Sequence, residues 1–331
     1  MTHERRCGPW KHKITRKNNA GEMPKEWLQD EMRIGLQYYE IKNDRPPLVL
    51  LHAQAVDSTS FFGVMPALAR RFHVYAVDCY GHGGSLRDAA KYNVADCGKA
   101  IVRFLQDVVK APAGLLGHSS GGLIAAYAAS HSDLCSGLVL EDPPFFASQG
   151  ERRKQTFNYV DLSSICHAFL QQTAEPDFVL YYFTYQRIWE FFPEASREKL
   201  RPKLIAAAAK DRQRHPDRDL HVPFWPKAAL AAYQGMQRYD PRFGETFYTG
   251  SFHAGIDHAD LLRGICCKTL FLKAKAERAP DGLLLGALGE EDLAQVLALI
   301  PDCTLARFDC GHAIHIEAKK AFLAALSALA T

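Results

Sequence analysis

Short apolar runs recur along the chain and predict the strands of a sheet. Most are continuous rather than alternating, which is typical of strands that are buried on both faces of a parallel sheet. A segment that starts at Ile34 alternates instead and predicts one further strand. The continuous runs are residues 48–51, 73–77, 114–116, 137–140, 269–272 and 304–308.

Segments with helical spacing separate these runs. Apolar positions recur every three or four residues in 61–70, 94–109 and 290–299, and a last helix is predicted to run to Leu329. Strands that alternate with helices of this length require right-handed crossovers. The predicted fold class is therefore α/β, with a mostly parallel sheet flanked by helices.

The pattern changes between residues 145 and 254, where aromatic residues and prolines are dense. We interpret this segment as a helical insertion on the sheet, with most of its aromatic side chains packed internally and some lining a ligand cavity. The core then comprises residues 32–144 and 255–331. Residues 1–31 are polar and basic without periodicity, which predicts a loosely docked arm.

Composition narrows the class of protein. The chain has 331 residues and a net charge of +3, which argues neither for nor against nucleic acid, so no nucleic-acid partner is predicted. Nine cysteines without a regular spacing indicate reduced thiols and a cytoplasmic protein. No signal peptide is visible, and no apolar run approaches the length of a membrane span. The oligomeric state is left open.

The strongest chemical signal is Gly117-His118-Ser119-Ser120-Gly121, which fits the pattern Gly-x-Ser-x-Gly. This spacing is typical of a serine at a sharp strand-to-helix turn. Glycines two positions before and after the serine let the strand and the helix approach closely. The apolar residues before the motif and the small residues after it fit a strand and a helix.

Three further motifs surround this turn in the chain. A strand ending in His52-Ala53-Gln54 precedes Asp78-x-x-Gly81-His82-Gly83-x-Ser85, and Gly311-His312 follows the last predicted strand. Together with the Ser119 motif, they resemble the α/β-hydrolase family over residues 34–331, with the helical insertion in the place of its cap domain. The resemblance implies a Ser–acid–His triad at the carboxyl ends of the strands.

The resemblance implies Ser119 as the nucleophile and His312 as its base. A neutral imidazole must remove the proton of the serine hydroxyl, and a carboxylate must orient that imidazole. One candidate acid is Asp142, which follows the strand after the helix that begins at the Ser119 turn. The alternative is Glu277, which follows the predicted strand 269–272 at about the family's usual distance. Asp281 and Glu141 are further alternatives, and His118 is interpreted as packing or pocket wall.

The backbone N–H of Ser120 is one expected oxyanion-hole donor, and the second is expected from Ala53, with Gln54 as the alternative. No cofactor is predicted, because no phosphate-binding glycine pattern is present. No metal is predicted either. His253, His258, His312 and His315 form local pairs without matched carboxylate or cysteine partners.

These features predict a serine hydrolase that cleaves a small to medium apolar carboxylic ester, lactone or thioester through an acyl-enzyme. Two alternatives remain open. One is a carbon–carbon bond hydrolase of the same fold. The other is a small-molecule receptor that uses the pocket chiefly for binding, which turnover would distinguish from an enzyme.

Overall fold

The computed structural model describes residues 28–31, 34–225 and 227–327. Their strands form one eight-stranded sheet in the order β1-β2-β4-β3-β5-β6-β7-β8. The pairs β1–β2 and β2–β4 are antiparallel and the remaining pairs are parallel. The strands are β1 (Leu28–Glu31), β2 (Leu36–Ile41), β3 (Pro47–Leu51), β4 (His73–Val77), β5 (Ala113–His118), β6 (Cys135–Glu141), β7 (Thr269–Lys273) and β8 (Cys303–Arg307).

Helices connect the strands and cover both faces of the sheet. Two buried apolar clusters, one on each face, contain alternate residues of the central strands. The helices are α1 (Met65–Leu68), α2 (Val94–Phe104), α3 (Ser120–Ser130), α4 (Ser164–Leu170), α5 (Phe178–Tyr185), α6 (Glu194–Arg214), α7 (Lys227–Leu230), α8 (Pro241–Thr249), α9 (His258–Arg263), α10 (Glu290–Leu299), α11 (Ile314–Glu317) and α12 (Lys319–Ser327). The predicted α/β class with a mostly parallel sheet is confirmed.

Several predicted boundaries differ from the observed ones. The helix predicted over 94–109 is α2 followed by a π-helical turn, Leu105–Val109. The helix predicted over 61–70 divides into a 3₁₀ segment, Ser58–Gly63, and α1, which begins anew because Pro66 suits a first helical turn. Leu28–Glu31, assigned to the arm, pairs instead with β2, whereas residues 1–27 lie outside the described part.

Helices α4–α8 lie within residues 145–254, the segment predicted to be an insertion. Its aromatic side chains largely contact each other, as in the contacts of Phe183 with Trp189 and Trp225 at ring-centroid distances of 5.4 and 5.1 Å. Within the described ranges, no helix has both the length and the apolar character that a membrane span needs.

The register of the central strands positions the candidate site residues. His118, the last residue of β5, pairs with Glu141, the last residue of β6, and Glu141 pairs with Leu272 in β7. The carboxyl ends of these parallel strands therefore lie side by side. Residues that immediately follow the strands converge on one edge of the sheet.

Candidate active site

Ser119 lies at the turn between β5 and α3. Its φ of +54° and ψ of −118° form a conformation that residues with a side chain rarely adopt. Gly117 and Gly121 permit this turn. A Cβ at Gly117 would collide with the carbonyl oxygen of Gly121, and one at Gly121 would collide with that of Leu51. The close approach of strand and helix explains why the motif requires glycine at both positions.

His312 and Asp142 form a hydrogen-bonded pair beside this turn. His312 Nδ1 lies 2.8 Å from Asp142 Oδ2, and because a carboxylate only accepts, Nδ1–H is the donor. Asp142 is completely buried, whereas the His312 side chain is 40% exposed. In the neutral ring, this hydrogen bond selects the tautomer in which Nε2 carries no proton and can accept one.

Lys273 is a member of this site that the sequence analysis missed. It lies in the charged segment around Glu277, but its side chain is buried at the end of β7. Lys273 Nζ lies 3.2 Å from Asp142 Oδ1, and the N–H of Ala274 donates to the same oxygen at 3.4 Å. The available signal was its position directly after the apolar run 269–272, which predicts a buried strand.

The structure places the alternative acids away from His312 Nδ1. Glu277 is exposed and its carboxylate pairs with Lys275 at 2.6 Å. Asp281 is also exposed and accepts a hydrogen bond from the N–H of Leu283. Glu141 is buried, but its carboxylate accepts two N–H groups of His315. Of the carboxylates considered from the sequence, Asp142 meets the imidazole of His312.

Two adjoining cavities of about 240 and 280 Å³ lie next to His312. Ser119 and Ser120 line the first, Ala53 lines the second, and His312 lines both. The sequence-predicted nucleophile, base and oxyanion donors therefore line two cavities that share the His312 side chain. Cavities of this size suit a small organic molecule.

The loop that carries Ala53 is held by a buried histidine. The N–H of Cys79 donates to His52 Nε2 at 2.9 Å, and His52 Nδ1–H donates to the carbonyl of Ala53 at 2.8 Å. Burial lowers the pKa of His52, which favours the neutral ring that this pattern requires. Ser120 begins α3, where the first N–H groups of a helix have no intrahelical acceptor.

The insertion contributes residues to the cavity walls that the sequence did not single out. Leu162 and Tyr182 line both cavities, and Asp161 lines the first. The Tyr182 hydroxyl donates to Asp161 Oδ2 at 2.6 Å, and the N–H of Arg187 donates to Oδ1 at 2.6 Å. Burial raises the pKa of Asp161. The density of aromatic residues was the only sequence signal for this wall.

His118, Glu141 and His315 form a second titratable cluster behind the site. One candidate ligand atom from each lies within 4.8 Å of the others, so that in the described part of the chain this group could hold a metal ion. His315 had been interpreted as lacking a carboxylate partner, and this was wrong. Its Nδ1–H and its backbone N–H both donate to Glu141. The contact joins residues that are 174 positions apart, which local spacing does not reveal.

Comparison with known proteins agrees with the observed fold. A family model described as the alpha/beta hydrolase family matches residues 48–325. The structure resembles that of the enol-lactonase from Burkholderia xenovorans, with a TM-score of 0.60 and 16% identity over 88% of this chain and 95% of that one. At this identity the likeness concerns the fold alone.

Curated relatives match only part of the chain. A probable 1-acylglycerol-3-phosphate O-acyltransferase from Oryza sativa is 33% identical over 133 residues, 38% of this chain and 32% of that protein. The pimeloyl-[acyl-carrier protein] methyl ester esterase from Aeromonas hydrophila is 33% identical over 109 residues, 32% of this chain and 41% of that protein. The chain thus spans less than half the length of these relatives.

Proposed function

Because the chain belongs to the alpha/beta hydrolase family, we propose that it is a serine hydrolase for a small to medium apolar carboxylic ester, lactone or thioester. The hydrogen bond between His312 Nδ1 and buried Asp142 carries this proposal, since His312 and Ser119 line the same cavity and the N–H of Ser119 donates to the carbonyl of Glu141, the residue before Asp142. A serine, an imidazole in the required tautomer and a buried carboxylate are the components of acyl transfer.

In the proposed reaction, Ser119 Oγ attacks the substrate carbonyl while His312 Nε2 accepts its proton. Asp142 holds the imidazole and stabilises the imidazolium that forms. The N–H groups of Ser120 and Ala53 would donate to the developing oxyanion. His312 then protonates the leaving alcohol or thiol, and water hydrolyses the acyl-enzyme by the same proton transfers in reverse.

Lys273 balances the charge of Asp142 in this mechanism. A buried carboxylate needs a compensating charge and hydrogen bonds. The contacts of Lys273 and Ala274 with Oδ1 leave Oδ2 for His312. Lys273 therefore acts through Asp142 and does not need to touch the substrate.

The size and lining of the cavities support the proposed substrate class. We assign residues 145–254 as the cap, because Leu162 and Tyr182 from this segment line both cavities and Met236 lines the second. The lining of both cavities is mostly apolar, which favours small apolar ligands. The names of the compared esterase and lactonase are in line with ester and lactone substrates.

The free thiols of the described cysteines fit a cytoplasmic location.

Covalent labelling with a fluorophosphonate tests the proposal. Wild type should gain one adduct by intact mass, and Ser119→Ala should gain none. A panel of ester, lactone and thioester substrates would then define the class. Unlabelled wild type that binds small apolar compounds tightly would contradict the hydrolase and favour the receptor. Turnover of a carbon–carbon substrate in preference to esters would contradict the proposed substrate class.

A further inference from the structure

The cluster of His118, Glu141 and His315 lies one step away from the proposed triad. His118 directly precedes Ser119 at the end of β5, and Glu141 directly precedes Asp142 at the end of β6. All three side chains of the cluster are at least 95% buried. Neither His118 nor Glu141 has a part in the proposed proton transfers. The free-energy cost of burying these polar groups therefore needs another explanation.

The cluster holds the segment that carries His312 at two points. His118 Nε2–H donates to the backbone carbonyl of His312 at 3.0 Å. Three residues later, the N–H and the Nδ1–H of His315 both donate to Glu141 Oε1 at 2.8 Å. Two adjacent strand ends thereby fix the start and the end of residues 312–315.

We propose that His118 and Glu141 are positioning residues, which set the backbone of residues 312–315 so that the His312 ring meets both Asp142 and Ser119. This inference rests on the proposed function. Residues 308–313 belong to no helix or strand, so regular hydrogen bonding does not fix them. The ring of His312 is itself partly exposed and bonds to Asp142 at one nitrogen.

The charge states of the cluster suit this role. Burial would raise the pKa of Glu141, but the neighbouring His315 and the hydrogen bonds from it lower the pKa to about 2. The carboxylate is therefore ionised at neutral pH and accepts strong, charge-assisted hydrogen bonds. Burial lowers the pKa of His118 to about 3, so its ring is neutral and donates through Nε2 alone.

A pair of variants at position 118 separates positioning from packing. In His118→Leu the donor to the His312 carbonyl is lost, whereas in His118→Gln an amide nitrogen reaches about the place of Nε2. Since a misplacement of 1 Å can cost on the order of 100-fold in rate, we expect His118→Leu to lower kcat for p-nitrophenyl acetate by about 10- to 100-fold. KM should change less than about threefold, and His118→Gln should recover most of kcat.

Two more variants complete the experiment. Glu141→Gln removes the charge but keeps an acceptor for the His315 N–H, so it should fold and also lose mainly kcat. His253→Gln replaces another buried histidine that lies outside both cavities, and its kinetics should match wild type. Melting temperatures measured for all variants show whether a loss of rate merely follows a loss of stability.

Three results would overturn the inference. A kcat of His118→Leu equal to that of wild type would exclude a positioning role. Equal losses of kcat in His118→Leu and His118→Gln, accompanied by lowered melting temperatures, would exclude it as well. If purified wild type contained one metal ion per chain and Glu141→Gln contained none, the cluster would be a metal site and not a hydrogen-bond network. Absence of fluorophosphonate labelling in wild type would instead overturn the proposed function, and this inference with it.

Discussion

Replacement of Asp142 by asparagine should reverse the tautomer of His312. Two donors, Lys273 Nζ at 3.2 Å and the N–H of Ala274 at 3.4 Å, face Asp142 Oδ1. In Asp142→Asn these donors select the amide oxygen for that position. The amide NH₂ then points at His312 Nδ1, which must become the acceptor, and the ring proton moves to Nε2.

A ring protonated at Nε2 cannot accept the proton of Ser119. Loss of the correct tautomer in a serine triad costs about 10⁴ in kcat. At 1.36 kcal/mol for each factor of ten, this corresponds to about 5 kcal/mol of transition-state stabilisation. The side-chain volume hardly changes, so the cavity and KM should be nearly unaffected.

The assay compares kcat and KM for p-nitrophenyl acetate, together with the rate of fluorophosphonate labelling, in Asp142→Asn and Glu277→Gln. Glu277→Gln is the matched control, because it makes the same chemical change in an exposed carboxylate that pairs with Lys275. We expect the control to stay within about twofold of wild type. If Asp142→Asn kept more than a tenth of wild-type kcat, or if Glu277→Gln lost as much, the tautomer argument would be refuted.

The remaining predictions concern strain, pH and the cavity. Ser119→Gly should abolish labelling yet raise the free energy of unfolding by about 1 kcal/mol, because glycine adopts a φ of +54° without strain; a urea titration that showed destabilisation would contradict this. Burial lowers the pKa of His253 to about 4 from an ordinary 6.5, so protons bind the unfolded chain preferentially in this range. The stability that neutral His253 contributes should be fully present above pH 6.5 and be lost as the pH drops to 4. In urea titrations, the free energy of unfolding of His253→Gln should therefore depend less on pH than that of wild type. Equal pH dependence in the two proteins would contradict this prediction. Leu162 lines both cavities, so Leu162→Trp should raise KM for long-chain p-nitrophenyl esters about tenfold while Ser119 still reacts with a small fluorophosphonate. An unchanged chain-length profile would show that substrates bind elsewhere.

Local pattern sufficed for much of the fold. The predicted helix over 290–299 coincides with α10, and the predicted strand over 73–77 coincides with β4. The helix and the strand were predictable because each is specified by the periodicity and apolar content of a few consecutive residues. The position of Ser119 at a strand-to-helix turn is equally local, since the glycines on either side of it satisfy a steric condition of that turn.

Contacts between distant residues depended on the register of the sheet. Asp142 and Glu277 both follow strands that end at the same edge, so the sequence could not decide which of them meets His312. The structure decides it through the direction of the chain after β6, where Asp142 has a φ of +46° and its side chain is completely buried.

Burial of charge was likewise decided by tertiary structure. Lys273 and Lys275 are two residues apart in a charged segment, but only Lys273 belongs to β7 and faces Asp142. The partnership of His315 with Glu141 spans 174 positions. Sequence by itself determined which elements form and where a nucleophile could stand. Which charges meet in the interior was determined by the packing of strands and loops, because a buried charge is tolerated only where the fold supplies its partner.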